Sequence, residues 1–190
     1  DADSLEDTVI VLEQEIDELE SFVADLNRAI PSDSKVERLV DDIESAFLSG
    51  HRTVVVFTQF TDTLHWIREQ LKDKYKDQIA CYSGDGGSRW NPQTRSWEKL
   101  TKQEVKDLFR AGDEVRILLG TDAMSEGLNL QTSDRLINYD MPWNFMRVEQ
   151  RIGRIDRIGG RPQVYITNYF YSDTVEEQVY KGIREDADWF

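Results

Sequence analysis

The chain has 190 residues, enough for one domain with a full hydrophobic core and too few for two large ones. With 39% hydrophobic and 32% charged residues and no apolar run of roughly 18 residues, it reads as a globular chain and excludes a membrane span. A net charge of −14 ordinarily argues against nucleic-acid partners, but residues 1–30 carry −9 and residues 171–190 carry −4, leaving −1 for residues 31–170. The acidity belongs to the two ends, so that exclusion lapses.

The chain opens "DADSLED", without a methionine or a signal-peptide pattern, and reads as a piece of something larger. From Leu5 to Ile30, apolar residues recur at alternating steps of four and three: Leu5, Val9, Leu12, Ile16, Leu19, Val23, Leu26, Ile30. That is a heptad seam on one helix of roughly 37 Å. Acidic residues fill its other faces, and Pro31 ends it. Residues 1–31 are thus expected to form an acidic helix that packs antiparallel on a neighbour in the parent protein, self-associates or binds a protein partner, ahead of a domain over residues 32–190. "PSDSKVERLVDDIESAFLSG" predicts a second amphipathic helix, capped by Ser32 or Asp33 and closed by Gly50, with Val36, Leu39, Val40, Ile43 and Phe47 as its buried stripe.

After Gly50, short apolar runs alternate with helical patterns. "TVVVF" at 53–57 is β-branched and continuous, as a strand buried on both faces requires. Helices are predicted over "TDTLHWIREQLKDKY", "TKQEVKDLFRAG", "NFMRVEQRIGRID" and "DTVEEQVYKGIREDADWF", the last begun by Asp173 as cap. Strands are predicted over "IACYS", "VRILLGT", "RLINYD" and "PQVYITNYFY". Cys81, the one cysteine, excludes an internal disulfide and fits a reducing interior; with two histidines besides, a zinc cage is not expected. The alternation predicts an α/β fold with a mostly parallel sheet covered on both faces, and ligands at the carboxyl ends of its strands. One connection, residues 84–100, has no clear period and reads as a long functional loop. Its Trp90, Trp97, Arg89 and Arg95 either touch nucleic acid or pin the loop to the domain.

The chemistry concentrates late in the chain. "VEQRIGRIDRIGG" lies among five arginines between Arg147 and Arg161. On a helix, Gln150, Arg154 and Arg157 share one face, Arg147, Arg151 and Arg154 an adjoining one, and Gly153 removes a side chain beside Arg154. Guanidiniums and an amide aimed into one crevice suit a polyphosphate. Upstream, Thr121, Asp122, Ser125, Gly127 and Asn129 follow a strand's carboxyl end, where hydroxyls and amides hold a phosphodiester backbone.

Four stretches carry a family resemblance: "VVVFTQFTDTL", "GTDAMSEGLNLQ", "NYDMPWN" and "QRIGRIDRIG". In that order and spacing, over residues 34–171, the chain resembles the second RecA-like lobe of a Snf2-type ATPase of helicase superfamily 2. The family usually has two small residues where Met124 and Ser125 stand, and commonly His at Asp156. These departures resemble the bacterial branch that includes the RNA-polymerase-associated ATPase. The resemblance implies a cytoplasmic, nucleoid-associated protein that uses ATP and Mg²⁺. Arg154 and Arg157 would contact the γ-phosphate, one as arginine finger, and Gln150 would couple two lobes. Asn129 would lie near the ribose, with Glu126, Gly127 and Gly153 in the same nucleotide-binding stretches. Thr58, Gln59, Thr121 and Ser125 would face nucleic acid, duplex DNA favoured.

No glycine in these residues is followed by lysine, so the phosphate cradle GxxxxGK[ST] is missing. Asp17-Glu18 sits in the heptad helix and Asp113-Glu114 precedes its strand, so neither pair is placed to hold magnesium. The chain therefore reads as half of an active site, whose other half is an N-terminal RecA-like lobe of the same parent chain that binds ATP and Mg²⁺. A helicase acting on RNA or single-stranded DNA, and a non-enzymatic adaptor, stay open as alternatives.

Overall fold

The β-branched and apolar runs assemble into one seven-stranded sheet in the computed structural model, which describes residues 2–29, 33–125, 127–128, 130–156 and 163–186. The strands are β1 (Val54–Phe57), β2 (Ile79–Ser83), β3 (Gly86–Asn91), β4 (Ser96–Leu100), β5 (Ile117–Gly120), β6 (Arg135–Asn138) and β7 (Tyr165–Asn168). Their order is β4-β3-β2-β5-β1-β6-β7, with β2, β5, β1, β6 and β7 parallel. β1 lies between β5 and β6 and is buried along its whole length, which accounts for its unbroken run of valines and phenylalanine. This is the expected RecA-like arrangement: helices cross over between parallel strands and cover the sheet.

The helices are α1 (Ala2–Ala29), α2 (Ser34–Leu48), α3 (Thr61–Tyr75), α4 (Lys102–Ala111), α5 (Phe145–Ile155) and α6 (Val175–Asp186). α4 shows how locally the boundaries are written. Thr101 and Glu104 exchange side-chain and backbone hydrogen bonds in a capping box, and Gly112 closes the helix at φ +66° with its amide on the Leu108 carbonyl. Between them, Val105 and Phe109 enter a core cluster with Val55, Phe57, Leu118 and Leu136. Asp33 caps α2, accepting from the amides of Lys35 and Val36 at 3.0 and 3.2 Å, and Gly50 follows its end at φ +90°. On α2, Leu39 and Ile43 are fully buried, joined by Ala46 and Asp42. Asp173 does not cap α6: its own amide donates to Glu177, and the helix begins at Val175.

The expected loop at 84–100 is a β-hairpin, which corrects the sequence reading. β3 pairs antiparallel with β2 and β4, extending the sheet at its edge. Asn91 turns the chain, its side-chain oxygen accepting from the amides of Gln93 and Thr94 at 2.8 and 3.3 Å. At Gly87, a Cβ would lie 2.6 Å from Val105 Cγ2 and 2.8 Å from the Leu100 carbonyl oxygen, so the strand sits too close to α4 for any side chain. Trp90 and Trp97 face each other across the hairpin at 5.5 Å, and Trp97 donates its indole N–H to Glu69 of α3 at 2.8 Å. Arg68 and Lys72 of α3 lie over Trp97 and Trp90. The tryptophans pin the segment to the domain.

The chain divides into two compact units, Asp1–Glu37 and Arg38–Phe190, with the division inside α2. Among the described residues, no helix is long and apolar enough to cross a membrane.

Candidate nucleotide and nucleic-acid site

β1, β5 and β6 end side by side, and the segments leaving the three strands meet there. The amide of Thr58, just past β1, donates to the Gly120 carbonyl at 3.0 Å, and that of Tyr139, just past β6, donates to the Phe57 carbonyl at 2.8 Å. Past β6, Asp140 turns its carboxylate onto the β1 exit. One oxygen accepts from the buried Thr58 hydroxyl and the other from the Gln59 amide at 2.7 Å. The Gln59 side chain donates to the Met141 carbonyl at 2.8 Å. Thr58 is thereby spent on holding the loop that carries Gln59.

Past β5, residues Asp122–Ser125 form a turn of 3₁₀ helix. Met124 of that turn is fully buried against Gly120, where a Cβ would lie 2.2 Å from the methionine sulfur. A bulky residue is accommodated at this position because residue 120 has no side chain. Thr121 and Ser125 are both buried, and among the described residues the Ser125 hydroxyl has no hydrogen-bond partner. Gly127 adopts φ +89°, a left-handed conformation that disfavours any other residue.

α5 brings the arginines to this turn. Asn144 caps its start, accepting from the Met146 amide at 2.9 Å, and the Arg154 carbonyl near its end accepts from the Leu130 amide at 3.1 Å. The arginines then divide. Arg151 is fully buried: Nε donates to Asp122 at 2.7 Å, and Nη1 donates to the Asn138 side chain at 2.9 Å and the Asp140 carbonyl at 3.1 Å. Its guanidinium also lies over the Phe57 ring, 5.2 Å from the centroid. Helical spacing puts Arg151 on one face with Arg147 and Arg154, and burial turns it into the protein, where its anion is Asp122. Arg147 reaches the other Asp122 oxygen at 3.4 Å.

What remains forms a cleft of about 560 Å³ lined by Asp122, Ala123, Ser125, Arg147, Gln150 and Arg154. The Asp122 carboxylate is already met by two guanidiniums, and among the described residues the Arg154 side chain has no ion-pair partner. The cleft thus offers a cation, an amide and an orphaned hydroxyl, a donor set that fits a phosphate-bearing ligand. Among the described residues it offers no spare carboxylate for Mg²⁺. Gly153 borders open space, with no atom within 4 Å of where its Cβ would be. A second depression, about 520 Å³ between β4 and α4, is rimmed by Glu104, Asp107, Asp113 and Glu114 and has no cation for an anionic ligand.

Gln150, Arg154, Ser125 and Asp122 are therefore brought together, with Thr121, Thr58 and Gln59 on the adjoining strand ends. Arg89 and Arg95 are elsewhere, on the hairpin. Arg89 is tied to Glu114 at 2.9 Å and to the Asp77 carbonyl at 2.9 Å, while Arg95 is exposed at the turn with φ +51°. Glu126, Asn129 and Arg157 lie outside the described residues. Sequence reasoning missed Asp140 and Asn138 as organisers of the site. Their signal was their place in "NYDMPWN", a resemblance stretch at a strand's carboxyl end to which no role was given.

A mostly parallel sheet with a guanidinium-lined cleft beyond the ends of β1, β5 and β6 defines a RecA-like helicase lobe. Residues 34–159 match the family model described as the helicase conserved C-terminal domain, and the chain belongs to that family. It is 34% identical over 173 residues to the uncharacterized ATP-dependent helicase YqhH of Bacillus subtilis (strain 168), covering 90% of this chain and 27% of that protein. It is 25% identical to the RNA polymerase-associated protein RapA of Vibrio campbellii, over 70% of this chain and 15% of that one. The crystal structure of the C-terminal part of the Fun30 ATPase domain superposes with a TM-score of 0.64 at 20% identity, covering 79% of this chain and 45% of that one. The chain thus spans about a quarter or less of the length of these curated relatives.

Proposed function

We propose that the chain is the second motor lobe of an ATP-dependent, Snf2-like nucleic-acid translocase. The observation that carries this reading is the single cleft in which Gln150 and Arg154 of α5 meet Ser125 past β5, with the Asp122 charge already neutralised by Arg151 and Arg147. A free guanidinium beside a neutralised carboxylate favours a ligand with concentrated negative charge. In this reading Arg154 and Arg157 meet the γ-phosphate of ATP held on a first lobe, and one of them is the arginine finger. Gln150 couples the lobes. Asn129, Glu126, Gly127 and Gly153 border the nucleotide. Magnesium, held by the first lobe, neutralises phosphate charge.

Thr121, Ser125 and Gln59 face the nucleic-acid backbone, duplex DNA favoured, and Thr58 acts by holding Gln59 through Asp140. Arg89 and Arg95 lie toward the amino ends of β2 and β5, at the opposite end of the sheet, and are left out of that surface. Closing of the two lobes assembles the site, and opening releases it, stepping the protein along its track. An arginine finger is worth roughly 10³–10⁵ in rate.

The test is steady-state ATPase of the full-length protein with no nucleic acid, single-stranded DNA, duplex DNA or RNA, beside Arg154→Ala and Arg157→Ala. Stimulation by duplex, lost in both variants, is the expected outcome. Stimulation by RNA or single strands alone moves the assignment to a strand-separating helicase. Variants as active as their parent refute the arginine roles, and absence of any ATPase favours the adaptor. Residues 1–190 alone are expected to hydrolyse no ATP.

A further inference from the structure

Within its own unit, Asp1–Glu37, α1 leaves its seam uncovered. Leu12, Ile16, Leu19, Val23 and Leu26 are each between 48% and 62% exposed, an apolar stripe along one face of the helix. An amphipathic helix takes most of its stability from packing its apolar face, so a seam along this 28-residue helix calls for a partner. The heptad chemistry says how many strands. Val or Ile stands at every a position from Val9 to Ile30, and Leu at every d position from Leu5 to Leu26, the combination that favours two strands.

The flanks say what the second strand is. Glu6, Glu13 and Glu20 occupy successive e positions, and Glu15 a g position. In a parallel pair of copies, Glu15 of each faces Glu20 of the other, and each helix brings a segment charge of −9. Like charges across such a seam repel. The segment's one cation, Arg28, sits at an outer f position and pairs with Asp25 of its own helix. A second copy therefore does not fit, and a helix with basic flanks does.

We propose that α1 is one strand of a heterotypic two-stranded coiled coil, whose other strand is an amphipathic helix with an apolar a/d seam and Lys or Arg on its flanks. The surface selects by charge: the seam supplies affinity, and the glutamates exclude self-pairing and acidic helices. This inference is independent of the ATPase reading and survives if that reading fails.

The test uses residues 1–190 and two synthetic four-heptad helices, both with Ile at a and Leu at d. One carries Lys at every e and g position, and the other Glu. In sedimentation equilibrium at micromolar concentration, the chain alone is expected to be a monomer. The Lys helix should form a 1:1 complex that weakens as salt rises, and the Glu helix should bind at least about tenfold more weakly. The double substitution Ile16→Ser, Leu19→Ser should abolish binding of the Lys helix and leave the thermal unfolding of the lobe unchanged. A chain that dimerises as tightly as it binds the Lys helix makes a second copy the occupant and overturns the proposal. Equal binding of both helices, binding of neither, or unchanged binding by the double variant overturns it as well.

Discussion

Arg151 Nε lies 2.7 Å from Asp122 Oδ1, and the arginine of this pair is wholly removed from solvent. One guanidinium joins the turn after β5 to Asn138 at the end of β6 and to the Asp140 carbonyl, while the Asp140 carboxylate holds the start of the loop after β1. A single buried cation thus ties the three strand ends from which the cleft is built. The neighbouring Arg154 is left to face outward into that cleft.

Arg151→Ala should destabilise the lobe by about 3–5 kcal/mol, because it leaves Asp122 and Asn138 without their buried partner. Arg154→Ala, at a half-buried position with no ion-pair partner among the described residues, should cost less than about 1 kcal/mol. Urea unfolding of residues 1–190 measures both. Equal losses would show that the two arginines are not divided between structure and ligand.

Gly120→Ala places a methyl group 2.2 Å from the sulfur of Met124. Because Met124 is fully buried, it has no room to withdraw, and overpacking should cost about 1–3 kcal/mol. Met124→Ala alone should cost about 2–5 kcal/mol through the cavity it leaves. The double variant should lose less than the sum, since the new methyl occupies part of the space vacated. Strict additivity in a double-mutant cycle would mean that the two residues do not share that space.

Glu69 anchors the hairpin, and its carboxyl is held below the usual carboxylate range. Burial alone would raise it, but hydrogen bonds from Lys72 and the Trp97 indole, with the charges of Lys72 and Arg68, outweigh burial. A lowered folded-state pKa contributes stability above the unfolded value, near 4.3, and loses it as pH falls through the folded value. Thermal unfolding of the parent chain and Glu69→Gln should therefore differ at neutral pH and converge in acid below that range. A gap that persists unchanged at low pH would mean that the Glu69 charge adds nothing to stability.

Burial pushes the Cys81 thiol up to about 12. At neutral pH almost none is thiolate, so a maleimide or iodoacetamide should label the native chain far more slowly than a free thiol and react readily once denaturant is added. Rapid stoichiometric labelling of the native chain would place Cys81 at an accessible surface instead.

Much of this lobe was legible in one dimension. "VVVF", "IACYS" and "ILLG" are strands because their residues suit a sheet covered on both faces, and Thr101, Glu104 and Gly112 bound α4 through contacts that span three or four residues. The hairpin at 86–100 was not legible. Its apolar signal is a tryptophan pair that meets only once the strands are paired, and its turn is set by Asn91 with a residue at positive φ that is not glycine. At the site, the helical spacing brought Gln150 and Arg154 together correctly, since three- and four-residue steps are a property of the helix alone. The same spacing put Arg151 on an adjoining face with Arg147 and Arg154, and its burial is a fact the spacing does not carry.

Outside the hairpin, the sequence by itself determined the element types, most of their boundaries, the parallel strands and the spacing of arginines along α5, because these depend on side-chain size, capping groups and periods that neighbouring residues settle among themselves. Only the tertiary structure decided which arginine binds the protein and which faces the open cleft. That choice depends on where Asp122, Asn138 and Asp140 come to rest, residues 11 to 29 positions away in the chain, and on which guanidinium the packed strands close off from water. Burial and charge pairing are properties of the assembled surface, and no local spacing encodes them.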